Sequence, residues 1–180
     1  MSNSDFEDYR SSVRAAISGD DERAVLNGSL KHAQIVIEEA FRAASQRVRI
    51  LSNSLDGGCY DSPSVLALVK DFLARAGTSL SILVETPISE IQSGIFYKTF
   101  EAEIQSGKID LAYVPSAISK DYGFNFLVVD ERSYRFEADR RKPEAVVLGG
   151  AHAALPAQRL ARLFDSLQAR VVGPADAVLL

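Results

Sequence analysis

"GFNFLVVDERSYRFEADRR", residues 123–141, reads as two strands joined by a tight turn, and it divides the chain into two kinds of organisation. From here on, residues 123–130, 133–138 and 144–148 are strand-like, and their connections are too short for a helix, so they pair as antiparallel hairpins. Upstream the rhythm is different. "RVRILSNS" (47–54), "SLSILVE" (79–85) and "IDLAYV" (109–114) are strands separated by helical patterns. The first is the stripe Ala33, Val36, Ile37, Ala40, Phe41 and Ala44, with Ser29 as its N-cap. The next is Val65, Leu68, Val69, Phe72, Leu73 and Ala76, opened by Ser62-Pro63 and closed by Gly77. The third runs through "SEIQSGIFYKTFEAEIQSG" (89–107) as one helix. Two βαβ crossovers of this kind make a parallel core, so the fold class is α/β with a mixed sheet. The strand starting at Gly123 is expected to pair with residues 109–114, and an amphipathic helix follows from Leu155. Residues 3–18 form a helix closed by Gly19. Residues 1–20 thus read as a helical appendage, 21–172 as the domain and 173–180 as a tail without a pattern.

The chain has 180 residues, 47% of them apolar, a mean hydropathy of zero and a net charge of −4, with an isoelectric point of about 5.2. Length and composition fit one globular domain with a substantial core. The acidic balance offers no global basic field for nucleic acid, so a nucleic-acid partner is disfavoured without a local patch. A lone Cys59 forms no internal disulfide or cysteine zinc cage, which suits the reducing cytoplasm. No apolar run approaches the ~20 residues that span a bilayer, so no membrane partner is expected. Dinucleotide-binding, Walker A, His-Glu-x-x-His and Gly-x-Ser-x-Gly signatures are absent from the sequence, and no cofactor is expected.

The order of elements resembles one half of a phospholipase D-like domain of the small bacterial type. "NGSLKHAQIVIEEAFRAASQRVRILSNSL", "CYDSPSVLALVKDFL", "FNFLVVDERSYRFEAD" and "RLARLFDSL" carry the resemblance, which covers roughly residues 25–170. Active members of that family have His-x-Lys-x4-Asp on the hairpin strand. Here Gly123 stands at the His position, Asn125 at the Lys position and Asp130 at the Asp position. Glycine offers no nucleophile, and asparagine supplies no charge, so the resemblance implies a degenerate site. The family's Gly-Ser-x-Asn stretch has only an echo in "GGAHA" (149–153). Because active members join two halves, the resemblance also implies a homodimer.

In open α/β sheets ligands sit at the carboxyl ends of the parallel strands. There the sequence places Ser52, Asn53 and Ser54 at the end of one strand and Glu85 at the end of the next. His32 comes from the entering helix, Asn125 from the hairpin strand, and Arg135 and Glu137 from its return. These eight are the candidate ligand-binding residues, and none is assigned as catalytic or as a metal ligand. Each has a plain alternative. His32 flanks an apolar stripe and reads more readily as a core-edge histidine hydrogen-bonded to backbone, and Arg135 with Glu137 as an exposed cross-strand ion pair. Asp130 reads as a turn residue, His152 as a cap, Cys59 as a small buried apolar side chain, and "DRRKP" (139–143) as a solvated hairpin tip. The expected function is a binding or assembly module, with a protein partner or a second copy of the chain. The alternatives are a residual phosphodiesterase or nuclease using His32 or His152 with Glu85, and a sensor of a small molecule or nucleotide at the strand ends.

Overall fold

A computed structural model describes residues 3–55, 58–142 and 144–172; the tail 173–180, Gly57 and the proline of "DRRKP" lie outside the described residues. The chain runs α1 (Asn3–Ser18), β1 (Val25–Asn27), α2 (Leu30–Ala43), β2 (Arg47–Ser52), α3 (Pro63–Ala74) and β3 (Ser79–Val84). Then come α4 (Ile88–Ile91), α5 (Ile95–Thr99), α6 (Glu101–Gln105), β4 (Ile109–Tyr113) and α7 (Ser116–Ser119). It ends with β5 (Asn125–Val129), β6 (Ser133–Glu137), β7 (Ala145–Leu148) and α8 (Gly150–Val172). The strands form one mixed sheet in the order β1-β7-β6-β5-β2-β3-β4. β2, β3 and β4 are parallel, and the other pairings are antiparallel.

β5 pairs with β2, through Ile50↔Leu127 and Leu51↔Phe126, and not with residues 109–114 as the sequence suggested. Burial explains the difference. All five residues of "NFLVV" are buried, which requires cover on both faces, and the sheet provides that at its centre and not beside the edge strand β4. Leu127 and Val129 face the layer that holds α1, α2 and α3, whereas Phe126 and Val128 face the Ala157, Ala161 and Phe164 stripe of α8. The alternation expected along this strand therefore holds.

The helix expected over 89–107 is three short ones, broken at Gly94 and Phe100. Asp61 Oδ1 accepts from the Phe96 amide at 3.2 Å, and Phe96 and Phe100, each 1% exposed, plug the core with ring centroids 4.9 Å apart. A straight helix would not turn both rings inward. The N-caps Ser29 and Ser62 stand where the sequence placed them, each accepting a backbone amide of its first turn. The three-residue strand β1 was not foreseen, and α8 begins five residues before Leu155.

α1, expected as an appendage, shares the core through Val13, Ala16 and Ile17. Charge holds it as well. Glu38 and Glu39 of α2, 3% and 2% exposed, receive Arg10 at 2.7 and 2.9 Å, and Glu39 also receives Arg14 and Arg42. Burial raises the pKa of both carboxyls, but the guanidinium and side-chain hydrogen bonds outweigh it and hold them below the ordinary range. The end of α1 also meets the β7–α8 junction backbone to backbone. A Cβ on Gly149 would stand 2.2 Å from the Ala16 carbonyl oxygen and 2.4 Å from that of Ile17. The "GGAHA" stretch is thus a packing device. Gly149→Ala is expected to cost about 2–3 kcal/mol in urea unfolding, as overpacking against rigid backbone does. Gly28→Ala, where a Cβ meets nothing within 4 Å, is the control. Equal stability of the two variants would show that α1 leaves the sheet at no cost.

Candidate functional site

Antiparallel pairing with β2 starts β5 beside the carboxyl end of β2, and β6 returns to the same edge. Asn125 lies directly opposite Glu137, and Leu127 opposite Arg135. Alternation therefore turns Asn125, Arg135 and Glu137 toward the α2 face, where all three are buried. The Asn53 amide donates to Asn125 Oδ1 at 3.1 Å, and Asn125 Nδ2 donates to Glu137 Oε2 at 2.6 Å. Arg135 Nη2 donates to Glu137 Oε1 at 3.0 Å and Arg135 Nε to Asn27 Oδ1 at 3.1 Å. One hydrogen-bonded chain thus links β2, β5, β6 and β1. It corrects the reading of Arg135 and Glu137 as an exposed pair: each residue is 7% exposed. A buried ion pair needs such further bonds, because Coulomb attraction alone does not offset the loss of hydration.

This chain floors a cleft of about 400 Å³. Ser52, Asn53, Ser54, Asn125, Arg135 and Glu137 all line it, so six of the eight candidates meet at one site. Glu85 stands beside it. Its amide donates to the Ser52 carbonyl at 3.2 Å, and its carboxylate is ion-paired with Arg140, which does line the cleft. Burial lifts the Glu85 pKa above the ordinary value, only partly opposed by Arg140. His32 is not among the lining residues. Its ring is stacked on Tyr9 with centroids 4.1 Å apart and meets the edge of Phe6, and neither ring nitrogen has a hydrogen-bond partner among the described residues. Burial pushes the Tyr9 hydroxyl up to about 12, with Arg135 pulling the other way. His152, 60% exposed in its side chain, pairs with Glu22 at 2.8 Å in the first turn of α8. Among the described residues no group of three His, Cys, Asp or Glu side chains could hold a metal ion.

Several lining residues escaped the sequence reading as site residues. Arg140, Arg141 and Lys142 form the basic rim, Tyr60 stands in the wall, and Asn27 anchors the floor from β1. Cys59 also lines the cleft; burial raises its thiol pKa, and Sγ donates to the Leu30 carbonyl at 3.5 Å.

The three motif positions are now placed. Gly123 precedes β5, and its carbonyl accepts from the Arg140 amide at 3.0 Å; a Cβ there would meet nothing within 4 Å, so space does not demand glycine. Asn125 is in the floor. Asp130 lies at the opposite end of β5, about 16 Å along the strand. It sits in the hairpin turn, where it and Glu131 take positive φ of 49° and 54° and the Arg132 amide bonds the Val129 carbonyl. From there its carboxylate accepts the Ser45, Gln46 and Arg47 amides at 2.7, 2.9 and 2.7 Å and the Ser45 hydroxyl at 2.8 Å.

Three solved structures are similar to this chain in fold. TrmBL2, an archaeal chromatin protein with a novel mode of DNA binding, matches with a TM-score of 0.57 at 14% identity, over 83% of this chain and 54% of its own. Phosphatidylserine synthase of Haemophilus influenzae Rd KW20 matches with 0.53 at 13% identity, over 82% of this chain and 38% of its own. NucT from Helicobacter pylori matches with 0.56 at 9% identity, over 81% and 95%. The synthase and NucT are phospholipase D-like proteins. The fold is phospholipase D-like. At these identities the likeness is one of fold, and the chain spans about half of TrmBL2 and less of the synthase. No protein-family model matches the sequence, and no curated protein matches it. Among the described residues no helix is long and apolar enough to cross a membrane.

Asp130 gives a pH-dependent test. Burial raises its pKa, but the amide and hydroxyl bonds prevail and lower it. Because the folded value lies below the unfolded one, the stability it contributes is complete above the ordinary carboxylate pKa and is lost as pH falls through the lowered value. Asp130→Asn, which tolerates the same left-handed backbone, is expected to cost about 2 kcal/mol at neutral pH in urea unfolding. The gap to the unsubstituted chain should narrow under acid; a gap that is constant from neutral pH to acid would contradict the assignment.

Proposed function

We propose that the chain is a catalytically degenerate phospholipase D-like domain that binds a ligand in the cleft at the strand ends and acts as a homodimer. One observation carries the reading. The position at which active family members hold a cationic lysine is occupied by Asn125, whose amide is bound on both sides within a buried chain running from Asn53 to Glu137, Arg135 and Asn27. Gly123, at the histidine position, has no side chain to attack or protonate a phosphorus centre. A cleft of about 400 Å³ with apolar walls and a few convergent polar groups fits a small ligand. This size favours the small-molecule sensor over an assembly module that would meet only a protein.

The residual phosphodiesterase has less support. His32 is packed under Tyr9, His152 faces outward with Glu22, and Glu85 is engaged by Arg140. TrmBL2 binds DNA, whereas a net charge of −4 gives this chain no general field for nucleic acid. The dimer is supported by the family resemblance and by Leu26, 73% exposed on the edge strand β1, with Leu30, 60% exposed, at the cleft mouth. The lone Cys59, which forms no internal disulfide, supports a cytoplasmic setting.

Purified protein is expected to leave bis(p-nitrophenyl) phosphate uncleaved, with or without divalent metal, and to sediment at twice the 19.6 kDa of one chain. Turnover that His32→Ala or His152→Ala abolishes would overturn the non-catalytic reading. Only monomer at micromolar concentration would remove the dimer.

A further inference from the structure

The charge around the cleft is opposite to that of the chain. The sequence carries 24 acidic and 20 basic side chains, yet among the described residues the cleft is lined by Arg135, Arg140, Arg141 and Lys142 against the single carboxylate of Glu137. Glu85 and Asp139 stand behind the rim, paired with Arg140 and Arg141. Lys142 is exposed, and Arg141, bound to Asp139 through Nε and Nη2, is 84% exposed in its side chain, so both present further N–H donors to a ligand. Low-dielectric walls on one side, formed by Leu30, Ala33 and Ile37, strengthen the field of that rim inside the cleft.

The floor asks for something else. Arg135 has five N–H donors, of which Nε and Nη2 are engaged, and the Asn125 amide uses one of its two hydrogens. Each Glu137 oxygen accepts one bond and has room for another. An apolar ligand would leave these groups desolvated and unpaired, and a second anion placed there would meet Glu137. A hydroxyl, donor and acceptor at once, suits a floor that offers both.

On the reading that this cleft is the binding site, the geometry points to a small hydroxylated organic anion as its ligand. Its carboxylate or phosphate lies on the Arg140–Lys142 rim, its hydroxyls on the Asn125–Glu137–Arg135 floor, and its carbon skeleton against α2. The anion site belongs to the loop after β6 and not to the strand positions of the family motif. The cleft volume accommodates a ligand the size of one sugar acid.

Isothermal titration calorimetry of the full chain tests this with four probes. Gluconate and glycerol phosphate carry charge and hydroxyls, glucitol carries hydroxyls alone, and inorganic phosphate carries charge without a carbon skeleton. At least one of the first two is expected to bind, and glucitol and inorganic phosphate at least about ten-fold more weakly. The double substitution Arg141→Ala, Lys142→Ala removes two exposed charges, so it should leave the melting temperature unchanged and weaken that binding about ten-fold. Which of the two anions binds more tightly distinguishes a carboxylate from a phosphate source. Glucitol binding as tightly as gluconate, or binding indifferent to the double substitution, would overturn the inference and leave the binding cleft standing. Silence from both hydroxylated anions would overturn it too, whereas the binding-module reading itself fails on phosphodiester turnover.

Discussion

The buried Arg135–Glu137 pair is the constraint around which this side of the sheet is organised. Two charges on one strand, both turned into the α2 face, are tolerable only while further hydrogen bonds hold them beside their own ion pair. Asn125 meets Glu137 from β5, Asn27 meets Arg135 from β1, and the Asn53 amide completes the chain from the end of β2. The register follows from it. A slip of one residue between β5 and β6 would send Arg135 and Glu137 to the α8 face, where Tyr134 and Phe136 pack against Phe164 and its neighbours. The same chain leaves the strand ends polar and unfilled, and that is where the cleft opens.

β5 is held at its other end by Asp130, whose carboxylate gathers three amides and a hydroxyl at the entry to β2. Asn125 and Asp130 thus serve as fixings at the two ends of one central strand. A carboxylate at position 130 satisfies four donors that a neutral side chain could not all meet. The strand therefore keeps its place and geometry through side chains at both of its ends, while at Gly123 a Cβ would meet nothing within 4 Å.

Much of this was legible in the sequence because periodicity reports burial. The limits of α1, the N-caps Ser29 and Ser62, the three parallel strands and the alternation along β5 all follow from local patterns. What failed depended on distant contacts. Nothing local in "NFLVV" says whether it joins β2 or β4; that is decided by which position buries both faces. The break at Gly94 and Phe100 depends on Asp61 from another segment, and β1 is too short to show a period. Arg135 and Glu137 alternate with Tyr134 and Phe136, a pattern that ordinarily marks a solvated face. Here α1 and α2 cover that face, and no short-range signal records the cover. His32 shows the converse: its place in the first turn of α2 was right, but its ring stacks on Tyr9 and does not line the cleft.

The central claim is that Asn125 is a structural part of the cleft floor, held by its bond to Glu137. A double-mutant cycle with Asn125→Ala and Glu137→Gln, measured by urea unfolding at neutral pH, isolates that bond from the effects of each substitution alone. A hydrogen bond to a buried charge predicts a coupling of about 1.5–3 kcal/mol. A coupling below roughly 0.3 kcal/mol, the level at which independent sites simply add, would contradict the account.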